Sequence, residues 1–369
     1  MTSTAEQDQA QDRHGERRLA LLNLLAEADL AALLVTRPAN LRYLTGFDGS
    51  YGALLVRQDH SLYFFTDRRY DQAASRLLPE AEIVLAPGGD LVGAVVGVLG
   101  VDGEGLGFEP AGLTWGDGQR LRQALPDQAV LPAPPLVEEL REVKDEGELA
   151  AMARAAQLGT DALAEVLPTL REGMTERELA FDLELAIRRR GAERLAFDSI
   201  VAFGEQAAEP HHHPGDRALA RGDLVKLDFG AEVGGYCSDM TRTVVFGRAS
   251  GRQRELYELV RQAQAAGVAA LRAGVSGGEV DRASREVITA AGYGDDFSHP
   301  VGHGVGLEIH EAPRMRAGAS GRIAAGTPVT VEPGVYLPGF GGIRIEDLAV
   351  VREDGHDLLT TAPKDLLEL

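Results

Sequence analysis

The chain is short of several things, and each shortage excludes something. It holds one cysteine, Cys237, in 369 residues, so no internal disulfide framework exists and a reducing compartment is expected. Its most apolar stretch, Leu91 to Val101, is Gly-rich and too short to cross a bilayer. The polar opening MTSTAEQDQAQDRHGERR lacks the apolar core of a secretory signal. Basic residues are in deficit, 37 Lys and Arg against 57 Asp and Glu, for a net charge of −20. That balance disfavours nonspecific binding to nucleic acid or anionic membrane, which Lys and Arg largely supply. No P-loop lysine motif is present, and a serine nucleophile is not expected. The expectation is a cytoplasmic protein with neither nucleic acid nor membrane as partner.

What is present falls into two domains. Residues 1–15 read as a disordered tail, and Glu16–Ala28 as an amphipathic helix. Short β-rich runs at Leu30–Thr36, Tyr51–Val56, Leu62–Thr66, Glu82–Ala86 and Gly105–Phe108 alternate with helical patterns. Residues 16–135 therefore read as a small α/β domain with a mixed sheet. The Pro-rich Leu131–Leu136 leads into a linker over 136–147. Residues 148–369 form the second, α+β domain. Helices over Lys144–Leu167 and Thr175–Arg190 precede strands at Asp198–Phe203, Asp223–Gly230 and Tyr236–Phe246. Thr175 with Glu178 makes a capping box, and Gly191 closes the helix. The order then recurs, with helices over Gln253–Leu271 and Gly278–Ala291 and strands over Thr327–Glu332, Ile343–Val351 and His356–Thr360. Gly222-Asp-Leu-Val-Lys-Leu-Asp228-Phe-Gly230 aligns with Gly326-Thr-Pro-Val-Thr-Val-Glu332-Pro-Gly334, which points to a duplicated half.

Each half carries two acids on a returning chain. Asp228 and Asp239 flank Gly234-Gly235, so they share a hairpin face, opposite or diagonal according to the turn. Glu332 and Glu346 flank a loop centred on Gly339 with the parity that puts them on one face. Two carboxylates so close repel unless a cation or shared proton lies between them. A single pair would be equally explained by an acid facing solvent or pairing with Arg242, and Glu346 by an ion pair with Arg344. His303 adds weight to the metal reading. Three of the chain's nine histidines, His299, His303 and His310, fall within twelve residues, among glycines that let backbone approach a ligand. Four carboxylates and one imidazole exceed the needs of one ion and suit two divalent cations, Mn2+ foremost, with Zn2+ and Co2+ also fitting. Hydrolysis of an amide or ester by an activated water is the natural reaction.

Asp228-Phe-Gly-Ala, Tyr236-x-Ser-Asp239-Met-Thr-Arg-Thr, Gly302-His-Gly-Val-Gly-Leu-Glu-Ile-His310-Glu, Val331-Glu-Pro-Gly-Val-Tyr336 and Gly342-Ile-Arg-Ile-Glu-Asp347 resemble the motifs of the proline-specific pita-bread metallopeptidases, the Xaa-Pro aminopeptidases and Xaa-Pro dipeptidases (prolidases). The resemblance implies a C-terminal pita-bread domain of pseudo-two-fold halves, preceded by a smaller creatinase-type α/β domain. It implies that Asp228 chelates one ion, that His303 and Glu332 ligate the other, and that Asp239 and Glu346 bridge them. Glu332 would handle the proton of the attacking water and His310 would stabilise the scissile carbonyl. His211, chosen because it follows Pro210, would line the substrate side with Tyr336, while His299 and Arg344 support the site. A homodimer acting on an Xaa-Pro peptide follows from the same likeness, as a dipeptidase or, alternatively, an aminopeptidase. An inactive binding module is the reading from another class, but such modules lose ligands that this chain retains. One departure from the family lies beside the substrate: Glu209 stands where many relatives have a small or apolar residue, and Gln206-Ala207 where they have Asn-Ser or Asn-Gly. A dipeptidase needs a cation for the proline carboxylate, with Arg42, Arg68, Arg69 and Arg314 as candidates.

Overall fold

The structure, a computed structural model, describes residues 4–99, 105–126 and 129–369. The chain separates into two compact units, Met1–Arg141 and Glu142–Leu369. Among the described residues no helix is long and apolar enough to cross a membrane.

The first unit is built on a six-stranded mixed sheet in the order Glu82–Leu85, Leu62–Thr66, Ala53–Arg57, Ala32–Val35, Leu106–Phe108, Val130–Pro132. Three central strands run antiparallel in a meander, and the outer pairings are parallel. Leu34, Leu55, Phe65, Val95 and Leu121 fill the core between the sheet and its helices. Three elements differ from expectation. The opening helix runs over Thr4–Glu27, so the presumed disordered tail is helical from Thr4, where Ala, Gln and Glu favour helix. A helix over Pro38–Thr45 was not anticipated; proline opens it and Gly46, at φ 73°, ends it. The stretch 136–147, read as linker, also carries a helix, Leu136–Glu142, started by the preceding prolines.

The second unit is two versions of one plan. In the first half, helices Glu146–Val166 and Glu176–Arg189 pack on a three-stranded antiparallel sheet whose middle strand is Leu224–Phe229, between Ile200–Phe203 and Met240–Val245. In the second, helices Gly251–Ala269 and Gly277–Ala290 pack on a five-stranded antiparallel sheet. Its order is Glu311–Met315, Gly302–Gly304, Pro328–Val331, Asp347–Arg352, Gly355–Leu358. All four helices open with a capping box, at Asp145, Thr175, Ser250 and Ser276, which satisfies amides the helix itself leaves free. Val225, Leu227 and Phe229 alternate toward the helices of their own half, as Val329, Val331, Ala349 and Val351 do in theirs. By strand parity the residues between them, including Asp228, point the other way. Those faces build the site.

Candidate functional site

Each acid pair sits where its hairpin bends. The Leu224–Phe229 and Met240–Val245 ladder pairs Asp228 with Thr241 and Phe229 with Met240. Beyond the bend, Val233 pairs with Tyr236 around a two-residue turn at Gly234 and Gly235, both at positive φ. Asp239 is therefore the diagonal neighbour of Asp228 on one face. In the second hairpin Val331 pairs with Asp347 and, past the bend, Gly334 with Arg344. That register sets Glu332 opposite Glu346. His303 arrives on the strand Gly302–Gly304, between the strands Glu311–Met315 and Pro328–Val331. Its flanking glycines are dictated by crowding: a Cβ on Gly302 would stand 2.0 Å from the Thr330 carbonyl oxygen, and one on Gly304 1.9 Å from that of Ala312.

The side chains converge. Ligand atoms of Asp239, His303 and Glu346 lie within 4.8 Å of one another. His303 Nε2 is 3.6 Å from Asp239 Oδ2 and 3.4 Å from Glu332 Oε1. Asp228 stands a little apart; its Oδ2 accepts from Arg344 Nη2, while its buried Oδ1 has no hydrogen-bond partner. The alternatives for these acids are answered. Arg344 pairs with Asp228 rather than Glu346, whose Oε2 accepts from the Thr241 hydroxyl at 2.7 Å. Arg242 faces away, bonded to Asp347 and to the carbonyls of Ala362 and Pro363.

This donor set fits divalent cations. Three buried carboxylates and the largely buried Glu332 gather around the Arg344 guanidinium. Burial, followed by repulsion from neighbouring acids, pushes the carboxyls of Asp239 and Glu346 well above the usual range. Burial likewise raises Glu332 to about 8. His303 donates from Nδ1 to the Gly304 carbonyl at 3.0 Å, and burial lowers its pKa to about 4. Its Nε2 lone pair then faces two carboxyl oxygens, an arrangement that calls for a proton or a cation between them and is a ligand set with a cation.

Around this centre lies a cavity of about 350 Å³ lined by all five residues. His310 is in its wall, edge-on to His303 with ring centroids 4.4 Å apart. Burial, then the charge of Arg314, lowers the His310 pKa. His211, His212 and His213 all line the cavity. His212 is committed elsewhere, with Nε2 2.8 Å from Glu176 and Nδ1 3.0 Å from Glu209. Burial opposes its charge, but the hydrogen bonds of Glu209 and Glu176 outweigh that and raise its pKa. His211 is close enough to His299 and His310 to influence both electrostatically. His299 donates from Nδ1 to the Pro300 carbonyl at 2.7 Å, so its Nε2 accepts from the Tyr336 hydroxyl at 2.8 Å. Arg344 Nη1 donates to that hydroxyl at 3.0 Å. Burial holds His299 near 3 and raises Tyr336 to about 12. The Tyr336 hydroxyl is thus held between His299 and Arg344, and Tyr336 is not among the residues lining the cavity.

Phe197, Asp198 and Ile200 line the cavity too, and no sequence signal marked them. Lys226 was legible but overlooked, a lysine in the wholly buried strand LVKLDF. Its Nζ, whose pKa burial lowers to about 6, donates to carbonyls of the loop that bears His211. A serine nucleophile was not expected, and although Gly274-Val-Ser276-Gly-Gly278 has the Gly-x-Ser-x-Gly spacing, Ser276 serves as a helix cap, bonded to Glu279.

The chain matches the model of metallopeptidase family M24 over residues 150–353, and that of the creatinase/prolidase N-terminal domain over 17–143. An Xaa-Pro dipeptidase of Pyrococcus furiosus is 33% identical over 355 residues, 95% of this chain and 99% of its own. Among solved structures, an Xaa-Pro dipeptidase from Bacillus anthracis superposes with a TM-score of 0.92 at 38% identity, covering 96% of this chain and 100% of that one. An X-Pro aminopeptidase from Thermotoga maritima gives 0.85 at 34% identity, covering 93% and 99%.

Proposed function

Because the chain belongs to metallopeptidase family M24, we propose that it is an Xaa-Pro dipeptidase whose ions are held by Asp228, Asp239, His303, Glu332 and Glu346. The observation that carries the dipeptide preference is Arg314. It lines the cavity, and among the described residues no carboxylate partners it. A guanidinium free in a catalytic cavity suits the carboxylate of a C-terminal proline. Arg69, by contrast, pairs with Asp67.

When bound, two divalent cations would supply Lewis acidity and lower the pKa of water. The chain's own groups do the rest. Arg314 holds the proline carboxylate and so fixes the register of the scissile bond. His310 and His211 donate ring N–H groups to the carbonyl oxygen as charge develops there. Glu332 accepts the proton of the attacking water and returns it to the proline nitrogen, which has no N–H of its own and leaves only when protonated. Arg344 holds Asp228, and His299 fixes the Tyr336 hydroxyl behind it. Asp239 and Glu346 would be shared between the two cations. Mn2+ suits this oxygen-dominated set best, with Zn2+ and Co2+ next. We place the enzyme in the cytoplasm, as the single buried free Cys237 suits, and as a homodimer, the assembly the family likeness implies.

An Xaa-Pro aminopeptidase is the second reading, favoured by the Thermotoga maritima neighbour. The test compares Gly-Pro with Gly-Pro-Gly on protein loaded with Mn2+. Faster turnover of the dipeptide is expected, with an advantage that Arg314→Gln removes. Preference for the tripeptide would overturn the dipeptidase reading, and no turnover of either would overturn both.

A further inference from the structure

We propose that Glu176 is a positioning residue for His211, clamping both ends of the loop that presents this imidazole to the cavity. Glu176 opens the helix Glu176–Arg189 and is 0% exposed. A carboxylate removed from water is costly unless its oxygens are well satisfied, and this one takes no part in the metal centre. All its partners are in a single loop. Oε1 accepts from the Phe203 amide at 2.8 Å, and Oε2 from the Gly215 amide at 2.9 Å and from His212 Nε2 at 2.8 Å. The Gln206 side-chain amide, its nitrogen turned inward, donates to Oε1 at 2.7 Å. Phe203 and Gly215 bracket the loop, so one carboxylate closes it at its base, and the helix N-terminus favours the negative charge there.

The middle of the loop is held by side-chain nitrogen donors. Lys226 Nζ donates to the carbonyls of Ala207 at 3.1 Å, Glu209 at 2.5 Å and Pro210 at 3.4 Å. Arg344 Nη1 reaches the Pro210 carbonyl at 3.2 Å. Between Gly204 and Gly215 the only buried hydrophobic residue is Ala207, so apolar packing anchors the loop little. Glu176 collects its N–H groups, Lys226 and Arg344 collect its carbonyls, and His211, next to Pro210, takes its place from that grip. Displacing a catalytic group by about 1 Å can cost a hundred-fold in rate.

The kinetic arm of the test rests on the peptidase reading; the exchange arm does not. On the full chain loaded with Mn2+, Glu176→Gln is expected to speed hydrogen exchange of amides in 204–215 about ten-fold or more, while the helix Glu146–Val166 is unchanged. Unaltered protection of the loop would overturn the proposal. With Gly-Pro as substrate, Glu176→Gln should lower kcat/KM about 10- to 100-fold at constant metal content. In a His211→Ala background it should cost less than about three-fold, because its effect runs through that imidazole. Equal losses in both backgrounds would show a general structural role and overturn it. If the wild type turns over no Xaa-Pro peptide, the peptidase reading fails and exchange alone decides the clamp. If Glu176→Gln does not fold, His212→Gln, which removes one donor and spares the amides, gives the same two readouts at a few-fold amplitude.

Discussion

In the first hairpin of the catalytic unit Asp228 faces Thr241, which leaves Asp239 one diagonal away. In the second, the ladder pairing Val331 with Asp347 sets Glu332 opposite Glu346. Diagonal partners stand farther apart than opposed ones, by roughly 7–8 Å against 4.5–5.5 Å. Short aspartates at the wider spacing leave a gap that a cation can fill. The longer glutamates stand at the narrower one, and Glu346 reaches Thr241 of the other hairpin. The guanidinium bonded to these acids belongs to the second hairpin yet serves the first, since Arg344 bonds Asp228. The two halves thus share a scaffold while side-chain length, register and charge differ together.

The largest effect that would sharpen this contrast is at Asp239. Asp239→Asn should lower kcat/KM by more than the roughly 100-fold that a residue behind the ligands costs, with metal lost from both sites. Near wild-type metal content and turnover would remove Asp239 from the bridge. His310 belongs to neither hairpin, so His310→Ala should reduce kcat about 100- to 1,000-fold and leave the metal content by elemental analysis unchanged. Arg344→Gln should destabilise the metal-free protein by about 3 kcal/mol, because an uncompensated buried charge remains; denaturant unfolding would read this, and an unchanged midpoint would show Asp228 to be solvated.

The pH dependence has a definite sign. In the metal-free fold Glu332 titrates near 8, above its ordinary 4.5, so the folded chain holds a proton that the unfolded chain releases between those values. That contribution is complete below about 4.5 and is lost as pH rises through about 8. Metal-free protein should therefore lose thermal stability over this window, and Mn2+ should flatten the slope. A slope unchanged by Mn2+ would separate Glu332 from the metal. The smallest effect belongs to the turn. Gly339 is at φ 76° with open space around it, so Gly339→Ala should cost about 1 kcal/mol in unfolding and nothing in turnover.

Much of this was legible because it is local. Helix pairs follow from the 3.6-residue period, the Gly234-Gly235 turn announces its hairpin, and hairpin parity puts each acid pair on one face. What escaped is not encoded by spacing. Arg344 finds Asp228, and Thr241 finds Glu346, only once the two halves have docked. Tyr336 carries a family motif yet turns its hydroxyl behind the cavity. Glu176 reads as an ordinary first-turn acid until the fold brings the loop to it.

The docking of the halves reaches further than the site. The Glu346 amide donates to the Thr241 carbonyl at 3.1 Å, so each hairpin finishes the other much as subunits do across a two-fold axis. Two separate copies of such a half would have to find each other at a rate set by their concentration. Joined in one chain they meet at a fixed effective concentration, and the centre then forms equally well however dilute the protein is.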